Sequence, residues 1–346
     1  MDGSKRRLAM SFQHNNGRLT LVFFLALAVT IAHLAFSPRG DPSQTNLCAA
    51  IPDSDRNWIQ RMHDTPCKGY RYSQGNQDCM LDTIFAKLGT TNKFFLEYGF
   101  NTKTQCTSSG PNTCKLSSID GWNGLLLDGD NENPEINLRA HYLYGNNIVS
   151  ILKKYDVPKE LDFYSGDMDS HDYFVLDNAL EHFRPRVITT EYNSNWSDNY
   201  TMSQVDPVLD PELMEESMNK FTFKGCVWGV SASALRIMLE KHGYALIGVT
   251  PILDLFWVRR DLLSCYDVPD FKYFQSAMRL GPKRPMHSVQ RDLSFLKWLA
   301  DTQVWEETKD LNKARAAAKK TIVDSAKAGT HLACFGPVKD LLAALE

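Results

Sequence analysis

A chain of 346 residues with formal net charge -3, 23% charged and 11% aromatic residues has the makeup of an ordinary globular protein built around one main domain. That balance excludes an intrinsically disordered chain. The absence of a basic stripe, a Gly-rich RNA motif and internal repeats argues against a nucleic-acid partner.

Residues 1–18 form a polar tail containing Lys5, Arg6, Arg7 and Arg18, and Leu19 to Phe36 then run without a formal charge. Uncharged sequence extends from Arg18 to Arg39, close to the roughly 20 residues a helix needs to cross a bilayer. With the positive residues ahead of it, the segment reads as a signal anchor that leaves the N-terminus in the cytoplasm and sends the rest across. This predicts a single-pass type II membrane protein of the endoplasmic reticulum or Golgi, held in the membrane through Leu19 to Phe36. The alternative is a cleaved signal peptide and a secreted product; cutting after Ala32 is tolerable for it. Residues 37–69, broken by Pro38, Pro42, Pro52 and Pro66, read as a lumenal stem.

The domain is expected over residues 70–300. Met80, Leu81, Ile84, Phe85 and Leu88 repeat on one helical face until Gly89. Phe94 to Gly99 and Gly124 to Gly129 read as buried strands, each ending in an acid and a glycine. A capping Asn133 before Pro134 and Glu135 predicts a helix to about Tyr144. Strand 161–164 runs into Gly166-Asp167-Met168-Asp169; a helix over 170–183 and a strand ending at Glu191 follow. Ser231 to His242 reads as a helix, with two apolar runs after it, Tyr244 to Val249 and Leu255 to Val258, suiting an antiparallel sheet edge. Residues 301–346, rich in Ala, Lys and Glu, predict solvated helices. Strands alternating with helices imply a mostly parallel sheet that binds ligands outside its carboxyl ends, where these acids lie.

All eight cysteines follow the apolar segment, which suits disulfides beyond a membrane. Cys106 with Cys114 and Cys48 with Cys67 are the first pairs to try, with buried reduced thiols as the alternative. Asn195-Trp196-Ser197 and Asn199-Tyr200-Thr201 are glycan acceptor patterns, expected in an exposed loop.

An ordered series of blocks resembles the FkbM methyltransferase family: Ser73 to Asp78, Phe95 to Asn101, Gly121 to Asp128, Leu161 to Asp172, Pro185 to Asn193, and His242-Gly243-Tyr244 followed by Phe256 to Arg259. The resemblance spans about Tyr70 to Leu262. It implies a Rossmann-like class I methyltransferase fold, α/β, with a mostly parallel seven-stranded sheet and one antiparallel strand. It also implies S-adenosyl-L-methionine as cofactor, contacted by Glu97, Gly99, Asn101, Asp128 and Asp167, with Asp128 accepting hydrogen bonds from the ribose hydroxyls. Removing the Asp128 carboxylate would then weaken cofactor binding and change folding little.

The chain departs from the family at three places. The loop Gly99-Phe100-Asn101-Thr102-Lys103 lacks a second glycine, Gly129 stands where many members have proline, and Gly166 replaces the usual isoleucine.

Methyl transfer to a hydroxyl of a glycan, glycolipid or secreted small molecule would require a general base, and Asp169, His171, Asp172 and Glu191 are the candidates. The same residues have structural readings: Asp169 or Asp172 as helix caps, His171 as a loop histidine, Glu191 as a strand-end acid. No metal is expected on this reading. Two rivals stand beside it. Asp128-Gly129-Asp130 and Asp167-Met168-Asp169 are DxD patterns of the kind that hold a divalent cation in lumenal glycosyltransferases. A catalytically inactive, membrane-tethered trafficking or scaffold protein would keep the fold without the reaction.

Overall fold

The computed structural model describes residues 51–65, 72–104, 110–219, 228–280 and 293–330, together with Cys48, Cys67 and residues 342–343. The apolar segment Leu19 to Phe36 lies outside the described residues. Among those described, no helix is long and apolar enough to cross a membrane.

The folded unit begins at Ile51, well before the boundary expected near Tyr70. Helices α1 (Asp53–Arg56) and α2 (Trp58–Asp64) occupy the presumed stem. Trp58 and Ile59 are fully buried in the main core, and Trp58 meets Tyr266 edge to face with ring centroids 5.9 Å apart. A segment that buries a Trp and an Ile belongs to the domain, because their transfer from water outweighs the turn-forming prolines on either side.

Helix α3 (Gln77–Leu88) leads into β1 (Phe94–Tyr98), α4 (Cys114–Ser118) and β2 (Asn123–Asp128). The helix expected over 133–144 is not formed. Asn133 caps a single 3-10 turn, Pro134–Ile136, but Asn137 then turns left-handed at φ 56° and ends it. Its side-chain amide donates to the Gly124 carbonyl at 2.7 Å, and strand β3 (Leu138–Ala140) pairs in parallel with β2. Next come α5 (Ile148–Lys154), β4 (Phe163–Gly166), α6 (Asp172–Leu180) and β5 (Val187–Glu191), then α8 (Ala232–Lys241) after a short α7 (Pro211–Asn219). Strands β7 (Tyr244–Val249) and β8 (Asp254–Arg259) close the sheet, and helix α9 (Phe271–Met278) follows.

The strand order is β3-β2-β1-β4-β5-β8-β7. Only β8 is antiparallel to its neighbours, as the expected architecture requires. This is a Rossmann-like, doubly wound α/β sheet. Its strands are buried along nearly their whole length, which accounts for their continuous apolar runs: helices cover both faces.

Residues 299–327 are part of the domain and not a solvated appendage. Strand β9 (Leu299–Asp301) pairs antiparallel with β6 (Met202–Gln204), and α10 (Thr302–Thr308) and α11 (Leu311–Lys327) follow. Helix α11 buries Ala314, Ala318, Ile322 and Ala326 at four-residue spacing, a narrow stripe of small side chains that lets it lie close to the body. Trp305 packs edge to face on Phe174 of α6 at 5.6 Å.

Cys67 is bonded to Cys79, so the pair Cys48 with Cys67 is not formed. Cys48, Cys114 and Cys265 are also in disulfides, and among the described residues no cysteine is free. Cys106, the expected partner of Cys114, lies outside the described residues.

Candidate functional site

In a doubly wound sheet the strand order reverses at one point, and neighbouring loops there diverge to opposite faces and leave a crevice. Here the reversal falls between β1 and β4. A cavity of about 680 Å³ opens at that edge, lined by Glu97 to Thr102 from the end of β1 onward, Leu127 to Asn131 from the end of β2 onward, His141 to Tyr144 after β3, Asp167 to Asp169 after β4, Glu191 ending β5 and Asp254 opening β8. Such a volume suits a cofactor-sized ligand.

All five residues expected to touch a cofactor line this cavity, and several of them also make contacts within the protein. Glu97 accepts from the backbone amides of Asn112 at 2.7 Å and Thr113 at 3.1 Å, and from the Thr113 hydroxyl. It thereby fixes the loop that enters α4. Burial pushes its carboxyl up to about 7, against the pull of those donors. Gly99 has φ 76°, and a Cβ there would stand 1.5 Å from the Asp167 carbonyl oxygen. It is glycine because the β1 and β4 loops touch, independent of any ligand.

Asn101, also left-handed at φ 50°, donates its backbone amide to Asp128 at 2.8 Å. The other Asp128 oxygen accepts from the amides of Asp130 and Asn131 at 2.9 and 2.8 Å. Three of about four acceptor positions on this carboxylate are therefore filled from within the protein. One remains, on the oxygen that holds Asn101, so Asp128 is first a clamp joining two loops.

The four candidate bases divide into two pairs. Asp169 and Glu191 line the cavity; His171 and Asp172 do not. His171 is buried, with Nε2 2.9 Å from the Leu143 carbonyl and 3.9 Å from Asp206, and its ring stacks on Tyr144 at 5.6 Å. Burial holds its pKa down, opposed by Asp206. It supports the cavity wall from behind. The Asp172 carboxylate accepts from the amides of Met168 at 3.0 Å and Ser170 at 3.1 Å, binding the β4–α6 turn to the start of α6. Burial raises its pKa to about 7 despite those two donors.

Asp167, Asp169 and Glu191 each bring a carboxylate oxygen within 4.8 Å of the others. Burial raises both Asp167 and Glu191 well above the carboxylate range; repulsion from Asp169, Asp172 and Asp254 adds to it at Asp167, against the pull of a hydrogen bond with Glu191, and repulsion from Asp167 and Asp169 adds to it at Glu191. Among the described residues, this set is also the one group of three carboxylates in the cavity with the spacing to hold a divalent ion. The other DxD pattern is not equivalent, because Asp128 is committed to backbone amides.

Sequence reasoning missed several lining residues. Asp254 faces Glu191 across β5 and β8, is pushed up to about 6 by burial, and accepts from Gln77 Nε2 at 2.6 Å. Its signal was an acid opening an otherwise apolar strand. Tyr142 stands 48% exposed at the mouth, its hydroxyl on Asp130 at 2.6 Å, and His141 lies beside it. Gly166 has a local cause: the Tyr98 ring occupies the space a side chain would need, with its hydroxyl 2.4 Å from where a Gly166 Cβ would be.

No family model matches the chain, and no curated protein matches it. Among solved structures, it is similar to an O-methyltransferase from Bacillus cereus in complex with SAH, at 14% identity and TM-score 0.31 over 68% of this chain and 97% of that one. It is also similar to a candidate O-methyltransferase from Klebsiella pneumoniae, at 14% identity and TM-score 0.29 over 68% and 96% of the two chains. These likenesses are weak, and the fold assignment rests on the strand order itself.

Proposed function

We propose that the protein is an S-adenosylmethionine-dependent methyltransferase whose cofactor occupies the cavity at the β1/β4 reversal. The observation that carries this reading is the coincidence of that cavity with seven lining carboxylates, Glu97, Asp128, Asp130, Asp167, Asp169, Glu191 and Asp254. A cavity so lined favours a cationic ligand. The cofactor, when bound, supplies a methyl group already activated on a positively charged sulfur. The chain's own residues bind and align: the free Asp128 acceptor position takes one ribose hydroxyl, Tyr142 offers an aromatic wall at the mouth, and Glu191 or Asp169 accepts the proton of an attacking hydroxyl. We assign the FkbM resemblance, a hydroxyl-bearing glycan, glycolipid or small-molecule acceptor, and a lumenal domain behind a Leu19 to Phe36 anchor to the same reading. Disulfides at Cys67, Cys79, Cys114 and Cys265 support the lumenal placement.

A second reading is favoured by the Asp167, Asp169 and Glu191 geometry: a divalent cation there, serving a nucleotide sugar. Equilibrium binding to the full chain in detergent separates the two. The first predicts S-adenosylmethionine binding that needs no added metal; nucleotide-sugar binding that appears only with Mn²⁺, and no S-adenosylmethionine binding, would overturn it.

A further inference from the structure

The two glycan acceptor patterns lie four residues apart between β5 and β6, and the fold treats them differently. Asn195 is only 6% exposed. Its Nδ2 donates to Asn193 Oδ1 at 2.9 Å, and its backbone amide donates to the same oxygen at 2.9 Å. The neighbouring Trp196 is 1% exposed and packs on Tyr200 at 5.1 Å. A sugar on Asn195 Nδ2 would have to displace this packed cluster. Asn199 is exposed. It sits in the turn closed by the Tyr200 amide on the Ser197 carbonyl at 3.2 Å, so its side chain can carry a large group into solvent.

We propose that Asn199, and not Asn195, carries an N-linked oligosaccharide; the proposal rests on the lumenal placement given above. In the transfer, Asn199 Nδ2 forms a bond to C1 of the first sugar of a lipid-diphosphate-linked oligosaccharide. The C1–O bond to the diphosphate breaks, the diphosphate leaves on the lipid, and the amide gives up one proton to a base of the transferring enzyme. The folded chain holds Thr201 in place, with its hydroxyl on Asp301 at 3.1 Å and its carbonyl accepting from the Thr302 amide at 2.7 Å. Addition therefore precedes the pairing of β6 with β9, while the acceptor tripeptide is still extended.

The test expresses the full chain in secretory-competent animal cells and follows its mobility with and without an amidase that removes N-linked glycans. Wild type should show a shift of one glycan, lost in Asn199→Gln and Thr201→Ala and kept in Asn195→Gln and Thr201→Ser. Reducing and non-reducing gels report whether each variant has formed its disulfides, so loss of the glycan is not confused with misfolding. No shift in wild type, or a shift that survives Asn199→Gln, overturns the proposal. Protease protection in sealed microsomes, run on the same samples, shows separately whether the lumenal placement fails with it.

Discussion

Asp128 illustrates how one carboxylate serves both fold and site. Because it receives amides from Asn101, Asp130 and Asn131, Asp128→Ala should cost roughly 1–2 kcal/mol, a value held down because water reaches these loops. A thermal melt showing no loss would contradict the clamp; the sequence alone had suggested little effect on folding. A second residue-scale prediction concerns Tyr98 and Gly166, register partners on β1 and β4. Gly166→Ala forces a methyl against the Tyr98 ring and should destabilise by about 1–3 kcal/mol. Combined with Tyr98→Leu, the loss should be smaller than the sum of the two single losses, and a double-mutant cycle with additive values would refute this packing account. The acids at strand ends were legible because each closes an apolar run. The pairing of Gln77 with Asp254 was not, since they meet across 177 residues of sequence, even though Asp254 opens an apolar strand.

At the scale of elements, the carboxyl edge of the sheet crowds acids whose pKa values the fold raises: Glu97 on β1 and Asp172 at the start of α6 to about 7, and Asp254 opening β8 to about 6. Their ordinary values are 4.5, 3.8 and 3.8, so near pH 5 to 7 the folded state holds protons that the unfolded chain has released. Stability contributed by these groups must then fall as pH rises through that window and level off above about 7. Melting temperature measured from pH 5 to 8 should show that decline. It should be shallower in Asp254→Asn, which keeps an acceptor for Gln77; an unchanged slope would mean Asp254 is not among the groups responsible. Elements with strong periodicity, α3 and α8, were read correctly from sequence. The helix expected over 133–144 failed because a good cap cannot extend a helix past Asn137, whose side chain is bound to Gly124 and whose successor is claimed by β2.

For the whole molecule, the parallel sheet could be inferred from the alternation of strands and helices, while both ends of the domain could not. Trp58 and Ile59 bring the start to Ile51, and β9 with α11 brings the end past residue 320, through contacts distant in sequence. Truncation at residue 300 should therefore leave Phe174, Tyr173 and Tyr200 without Trp305, Glu306 and Ser325, and yield a chain that aggregates or melts well below wild type. A truncated chain with wild-type melting would show the extension to be dispensable. The central claim is the place of the ligand, and backbone hydrogen exchange of the full chain with and without S-adenosylmethionine tests it most directly. The account predicts slower exchange at Gly99 to Thr102, Asp128 to Asn131, His141 to Tyr144 and Asp167 to Asp169; unchanged exchange there, or protection confined to another surface, would contradict it.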